Sequence, residues 1–345
     1  MNPATNDLIL ALDFGGTKHT AGLARRGERT WLKTAREIAP EQATANDDLE
    51  IMFRLARGLL GGQPPGVTGV SFGGPVDFDT GTVRLSHHVP GWENRPLAQM
   101  LKDAFGASAW VDNDANVAAI GEHMFGAGQG CNNLLYMTVS TGVGGGWILN
   151  GQPWRGHDRM AGEIGHMVVD PSGPECVCGS RGCVERLASG TNIARRARDW
   201  LREQPERGTR LRALAGGNIE LVDTKMVAEA AAQGDALAWE ALERGAQALG
   251  VGIGNAANLV NPQRFVLGGG VTKAGERWWA AVRAAARATA LPEVNVDIVP
   301  AALGDEAPLW GAVALAVSSE VQARGHEGRA YGSPASMREA GDENG

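Results

Sequence analysis

One device occurs twice in this chain and restricts its fold more than any other feature. LILAL (8–12) passes through DFGGTK (13–18) into HTAGLA (19–24), and LLYMTVS (134–140) passes through TGVGGG (141–146) into WILN (147–150). Each copy reads as a buried strand, a glycine turn and a returning strand. Glycine at such a turn lets the backbone approach a ligand with no Cβ in the way. Repetition of the device predicts two related α/β domains facing each other across a cleft. At 345 residues the chain is long enough to build two cores.

The intervening periodicity fits that plan. From Asp47 the residues Leu49, Met52, Phe53, Ala56, Leu59 and Leu60 share one helical face. A strand at 67–72 ends in Gly73-Gly74-Pro75, NRPLAQMLKDAFG reads as a short helix, 109–111 as a strand, and NDAN opens a further helix. Downstream, helices are predicted over 184–202, 223–233, 235–260, 273–290 and 306–319. Strands are predicted within RFVLGGGV (264–271) and at 295–299, with 203–220 as a linker. From about Arg324 the chain is polar and rich in Gly, Ser and Glu, which predicts disorder.

Composition narrows the class of function. A net charge of −7 disfavours a nucleic-acid groove. There is neither a long apolar span nor a charged-then-apolar leader, so a protein neither membrane-spanning nor secreted is expected, at home in the cytoplasm. The 49 glycines cluster after apolar runs, which favours an enzyme with functional loops.

Three of four cysteines fall in GEIGHMVVDPSGPECVCGSRGCVE (162–185). His166, Cys176, Cys178 and Cys183 form a donor set suited to tetrahedral, structural zinc. A disulfide would leave one thiol unpaired and suits the cytosol poorly. His166 alone would read as a core histidine; beside three cysteines it reads as a ligand. Such an ion would fix Glu163 and Glu185, whose carboxylates can accept from an array of hydroxyl groups, although a lone Glu is more often a solvated surface charge. The second imidazole nitrogen of His166 would remain for the same ligand. Cys131 stands apart and reads as a small buried hydrophobe.

The first glycine turn carries Asp13, Thr17 and Lys18. Its N–H groups, hydroxyl and ammonium can cradle phosphate, and Asp13 can hold Mg²⁺ through water. Neither the Walker spacing nor a dinucleotide turn is present, and alone the turn would be a plain hairpin. STGVGGG (140–146) strengthens the reading, since two hairpins can grip one polyphosphate, and LGGGV (267–271) suits the nucleoside end. In VDNDAN (111–116), Asp114 reads either as a helix N-cap or as a general base for a sugar hydroxyl attacking a γ-phosphoryl group, with Asp112 as its rival. Asn94 and the Gly73-Gly74 turn would add contacts to the sugar.

Taken together, DFGGTK, GGPVD, W-x-N-x-P-L, NDAN, STGVGGG, GEIGH and CVCGSRGCVE resemble the ROK family of bacterial sugar kinases and repressors, over about residues 8–320. The short cysteine segment and SHHVPGWENRPL look most like its glucokinases. The resemblance implies the actin-like ATPase (sugar kinase/Hsp70) fold, two α/β domains around a cleft. Residues 1–112 plus 306–323 would form the smaller N-terminal domain with a returning C-terminal helix. Residues 113–305 would form the larger one with the zinc site, leaving 324–345 as a tail.

By motif, the resemblance makes Asp114 the catalytic base. It assigns Gly74, Asn94, Asn113, Glu163, His166 and Glu185 to the sugar, and zinc to His166, Cys176, Cys178 and Cys183. Asp13, Gly15, Gly16, Thr17 and Lys18 become the first phosphate loop, Thr141, Gly142 and Gly144 the second, and Gly269 the adenosine side. ATP, Mg²⁺ and structural Zn²⁺ are the implied cofactors, and a homodimer or homotetramer the implied assembly. The expected activity is ATP-dependent phosphorylation of a hexose, foremost glucose at its 6-hydroxyl. Another hexose (mannose, fructose, allose or an N-acetylhexosamine) or a polyphosphate donor stand as alternatives. A sugar-responsive repressor fits less well, because only seven residues precede LILAL and leave no room for a helix-turn-helix domain.

Overall fold

A computed structural model describes residues 7–16, 18–86 and 89–330, the last nine through their backbone only. Thr17 and the expected tail beyond 330 therefore lie outside the described residues. Strands β1 (Leu8–Phe14), β2 (Lys18–Arg25) and β3 (Trp31–Ile38) form an antiparallel meander. Helix α1 (Ala45–Leu60) leads to β4 (Val67–Phe72). A small hairpin of β5 (Val76–Asp77) and β6 (Thr82–Val83) follows, then α2 (Leu97–Phe105) and β7 (Ala109–Asn113). The sheet order is β3-β2-β1-β4-β7, with β4 parallel to β1 and β7 parallel to β4.

Helix α3 (Asp114–Phe125) leads to a second meander of β8 (Leu134–Val139), β9 (Val143–Leu149) and β10 (Gln152–Trp154). Helices α4 (Val184–Ala188), α5 (Gly190–Glu203), α6 (Thr209–Leu214), α7 (Thr224–Ala232) and α8 (Ala236–Val260) precede β11 (Arg264–Gly268). Helix α9 (Glu276–Thr289) precedes β12 (Ile298–Pro300), and α10 (Ala307–Ala330) closes the described chain. The second sheet, β10-β9-β8-β11-β12, repeats the first strand for strand. The duplicated device is therefore the nucleus of a duplicated sheet.

Successive strand residues point to opposite faces, and here both faces are covered. Leu10 and Leu12 pack with Leu49, Met52, Leu97 and Leu101 of α1 and α2. Ile9 and Ala11 face the other way, into a cluster with α3 and α10 that also receives Leu134, Tyr136 and Val266 of the second sheet. Leu135, Met137, Phe265 and Leu267 pack beneath the helices from α4 to α9. The runs LILAL and LLYM are continuous in apolar character because helices lie above and below them. The helices α3 and α10 thus form a middle layer between the sheets. Their backbones touch: a methyl on Gly121 would lie 2.8 Å from the Gly311 Cα, and one on Gly311 would overlap the Val117 carbonyl. On the sheet side, a methyl on Gly69 of β4 would overlap the Ala312 carbonyl.

Four sequence expectations are corrected. The helix expected over 184–202 breaks at Ser189, whose side chain caps α5 while Gly190 N–H donates to the Ser140 carbonyl at 2.7 Å. The linker expected over 203–220 contains α6, anchored by Asp235, which accepts from Arg210 and Leu211 N–H at 3.1 and 3.2 Å. A helix that short shows no period. At the C-terminus α10 runs on to Ala330 instead of ending near 319, since Glu320, Gln322, Ala323 and Arg324 all favour propagation. Finally, Asn113 rather than Asp114 is the N-cap of α3, its side chain accepting from Ala115 N–H at 3.0 Å. No helix among the described residues is long and apolar enough to cross a membrane.

Candidate active site

Strand register aligns the first half of the site. In the parallel stretch Asp13 of β1 pairs with Ser71 of β4, and Ser71 with Asp112 of β7; one step on, Phe14 pairs with Phe72 and Phe72 with Asn113. The chain then leaves each strand at Gly15-Gly16, at Gly73-Gly74 and at Asp114. All three turns lie at the carboxyl ends of parallel strands, where open α/β sheets bind their ligands.

The three aspartates have different surroundings. Asp13 is 9% exposed and its carboxylate accepts from the Ser71 hydroxyl at 2.9 Å. Burial pushes its pKa from 3.8 to about 6, against the Ser71 bond; the nearby Asp114 charge adds to the rise, while Lys18 opposes it. Asp114 opens α3; the residue is exposed at the surface, while neighbouring protein partly desolvates its carboxylate. That desolvation raises its pKa to about 6, moderated by bonds from the Ala115 N–H and the Asn113 side chain and reinforced by Glu163. Asp112 is fully engaged. It is 2% exposed and holds Arg155 through Nε and a terminal nitrogen, both at 2.7 Å, along with Asn113 N–H at 2.8 Å and Asn116 at 3.1 Å. A carboxylate clamped by a guanidinium and two further donors is placed as a counter-ion, which disfavours Asp112 as a proton acceptor.

Asp114 shares a small cavity of about 90 Å³ with Asn113, Gly144, Arg159 and Glu163. Asn113 donates to the Gly74 carbonyl at 3.2 Å, tying the turn after β4 to the start of α3. Leu85 lies against Gly74, and its neighbour Arg84 accepts from Asn94 N–H at 3.1 Å. Asn94 is thereby held beside the same turn, in a left-handed conformation with φ 55°.

The second hairpin meets the cysteine segment at Glu185. Its Oε2 accepts from Val143 N–H at 2.9 Å, and a methyl on Gly142 would lie 2.6 Å from that oxygen. Only glycine lets the loop and the carboxylate approach so closely. Two residues earlier, Cys183 joins His166, Cys176 and Cys178 in a group whose donor atoms all lie within 4.8 Å of one another. Cys178 and Cys183 sulfurs are 3.6 Å apart, and Cys176 Sγ is 3.8 Å from His166 Nδ1. A tetrahedral zinc with bonds of about 2.3 Å to sulfur and 2.0–2.1 Å to nitrogen would set its ligands about 3.5–3.8 Å apart. The donor set and its spacing fit that ion. Antiparallel bridges Val168–Cys183 and Glu175–Arg181 close the segment that carries these donors.

Two larger cavities flank the glycine turns. One of about 930 Å³ is lined by Thr141, Gly190, Arg198, Lys225, Glu229 and Val271, and is roomy enough for a nucleotide. The other, about 290 Å³, is lined by Lys18, Thr138, Gly269, Lys273 and Asp305. Gly269 has φ 91°, and a methyl there would overlap the Val139 carbonyl, so the turn after β11 lies directly on β8. Arg159, Arg198, Lys225 and Lys273 were not singled out from the sequence. Three of them sit on helices or turns whose charges read as solvated surface, and Arg159 is marked only by its place just before GEIGH.

The ROK family model matches residues 9–319. The chain belongs to the ROK family. A glucokinase of Thermotoga maritima is 32% identical over 312 residues, covering 89% of this chain and 96% of the relative. A glucokinase of Halalkalibacterium halodurans is 40% identical over 248 residues, 70% of this chain and 74% of the relative. Among solved structures, the ROK family glucokinase of Streptomyces griseus in complex with glucose and AMPPNP superposes with a TM-score of 0.78 at 34% identity. It covers 90% of this chain and 99% of its own. The fold is accordingly the actin-like ATPase architecture of ROK sugar kinases, with the paired sheets as its two halves.

Proposed function

We propose that this ROK protein is a cytoplasmic ATP-dependent hexose kinase that phosphorylates glucose at the 6-hydroxyl. The observation that carries the reading is a carboxylate of raised pKa, Asp114, sharing one cavity with Glu163 and Gly144 of the second glycine hairpin. The Streptomyces griseus relative, solved with glucose and AMPPNP, supports the substrate pair.

Sugar enters the cleft and is held by Glu163, His166, Glu185, Asn94, Asn113 and the Gly74 backbone. Glu185 spends one oxygen on Val143 N–H, which leaves the other for a sugar hydroxyl. Nucleotide occupies the large cavity beside Thr141, with Lys18 and Gly269 lining the adjoining one; the backbones of Gly15, Gly16, Gly142 and Gly144 are the proposed contacts to its phosphates. Closure of residues 1–112 plus 306–323 onto 113–305 excludes water, so the sugar oxygen rather than water attacks. Asp114 accepts the hydroxyl proton as that oxygen bonds to the γ-phosphorus and the bridging oxygen leaves on ADP.

Asp13, buried and without a cationic hydrogen-bond partner of its own, is suited to hold Mg²⁺ through water; the ion would neutralise charge on the phosphates. His166, Cys176, Cys178 and Cys183 would hold zinc, whose contribution is to fix the segment bearing Glu163 and Glu185. His166 turns Nδ1 toward the thiols, which leaves Nε2 for the sugar. A homodimer or homotetramer is the proposed assembly, to be read by light scattering. Coupled assays with glucose, mannose, fructose and N-acetylglucosamine, each with ATP and with polyphosphate, test the whole reading. Glucose with ATP should give the highest kcat/KM, and absence of turnover on all four sugars would sink it.

A further inference from the structure

Behind the cleft lies a buried polar chain to which none of these roles applies. His19 Nε2 is 2.8 Å from Asp48 Oδ1, and Trp92 Nε1 donates to Asp48 Oδ2 at 2.9 Å. Exposure is 1% for His19, 3% for Asp48 and 0% for Trp92. Among the described residues His19 Nδ1 has no hydrogen-bond partner. A buried N–H without an acceptor is rarer and costlier than a bare lone pair, so the proton is assigned to Nε2, which donates to Asp48.

The three residues come from different segments. His19 follows Lys18 of the first glycine turn, Asp48 lies in the first turn of α1, and Trp92 stands two residues before Asn94. Aromatic rings pack around them: Trp92 lies 4.8 Å from Phe72 and 5.6 Å from Phe14 between ring centroids, and His19 lies 5.7 Å from Phe14. Phe14 directly precedes Gly15-Gly16 and Phe72 directly precedes Gly73-Gly74. One cluster therefore backs the phosphate turn, the sugar-side turn and the Asn94 segment together. An apolar cluster could hold these by packing alone. A buried carboxylate is costly unless its donors stay in place, and it makes the packing directional. Asp48 keeps both bonds only while the phosphate turn and the Trp92 segment keep their relative placement.

We propose that His19, Asp48 and Trp92 form a positioning triad that couples the sugar-side turns to the first phosphate turn, so that glucose and nucleotide bind synergistically. The inference rests on the kinase reading of the cleft. Ordering of the Trp92–Asn94 segment by sugar fixes Asp48, which fixes His19 and the adjoining turn before nucleotide arrives; by linkage nucleotide favours sugar equally.

Calorimetry on the full chain, with AMPPNP titrated in the absence and presence of saturating glucose, measures the coupling. The wild-type ratio of dissociation constants should be about fivefold or more. His19→Leu and Trp92→Phe should bring it within about twofold of unity, while each ligand's affinity alone changes less. His19→Gln, whose side-chain amide can still donate to Asp48, should retain it. Variants that keep the wild-type ratio would overturn the proposal, as would a wild type that phosphorylates glucose but shows no coupling. Hydrogen exchange on the wild type needs no variant: glucose alone should protect His19 and Thr20 amides as well as 92–95, and protection confined to 92–95 refutes the triad. A wild type inactive on every sugar is a distinct result, which removes the kinase reading and the triad's role with it.

Discussion

Asp114 offers the sharpest quantitative test. In the proposed role of base its charge state should govern the rate, because only the ionised carboxylate can take the sugar proton. With a pKa of about 6, about nine-tenths of the base is protonated at pH 5, so kcat should fall about tenfold between pH 7 and pH 5. An ordinary aspartate at 3.8 would leave the rate nearly unchanged over that range. In the free protein, cleft water screens Asp114, so the acid limb of kcat/KM should lie between 3.8 and about 6. Bound sugar displaces that water and should bring the limb of kcat closer to 6. Asp13 titrates nearby in the nucleotide-free protein, but saturating magnesium-nucleotide sets a cation beside it and takes it out of this range. Asp114→Asn should lower kcat by about 10²- to 10⁴-fold with glucose affinity within a few-fold of wild type. Stopped assays from pH 4.5 to 8 with saturating substrates give the profile, and far-ultraviolet circular dichroism checks that the fold persists. A kcat flat down to pH 5, or an Asp114→Asn protein retaining more than a tenth of wild-type kcat at pH 7.5, would refute the assignment.

The other tests are simpler. Burial holds the Asp13 pKa above its unfolded value, so its charge opposes folding above about pH 6 and the penalty fades as pH falls toward 3.8. Asp13→Asn should therefore stabilise the ligand-free protein by up to about 3 kcal/mol at pH 7.5 and by only about 1 kcal/mol at pH 4.5, while abolishing kinase activity. Thermal melts at both pH values check this, and an equal gain at both contradicts it. Removing bound metal with a chelator at neutral pH should weaken glucose binding far more than nucleotide binding; fresh, active protein with no zinc by elemental analysis refutes the zinc assignment. Arg159, on the wall of the Asp114 cavity, pairs with Asp79 across the cleft through Nε at 3.1 Å. Asp79→Ala should raise the KM for glucose about two- to fivefold with kcat intact, and 0.5 M salt should erase the difference; a KM unmoved at low salt counts against the pairing.

Much of the fold was legible because its strongest signals are local. LILAL and LLYM are apolar without alternation, which marks strands covered on both faces, and the glycine pairs mark where those strands end. The cysteine spacing brought four donors into one short segment, so proximity in sequence stood in for proximity in space. What could not be read depends on long-range geometry. Asp112 and Asp114 are equivalent on paper, and only the arrival of Arg155 from beyond β10 sets their surroundings apart. His19 looks like any strand residue until Asp48 and Trp92 meet it from 29 and 73 positions away. The break at Ser189 likewise answers to Ser140, far upstream, rather than to any helix-stop signal nearby.

The seam between α3 and α10 carries a mechanical consequence. Where Gly121 and Gly311 meet, the two backbones lie in contact with no side chain of their own between them, so a small roll of one helix on the other is least obstructed there. That makes the crossing an axle on which the sheets can swing. A methyl at position 311 would wedge against the Val117 carbonyl and stiffen it. Small-angle scattering of Gly311→Ala should then show a glucose-induced contraction smaller than that of the wild type; an equal contraction would move the axle elsewhere.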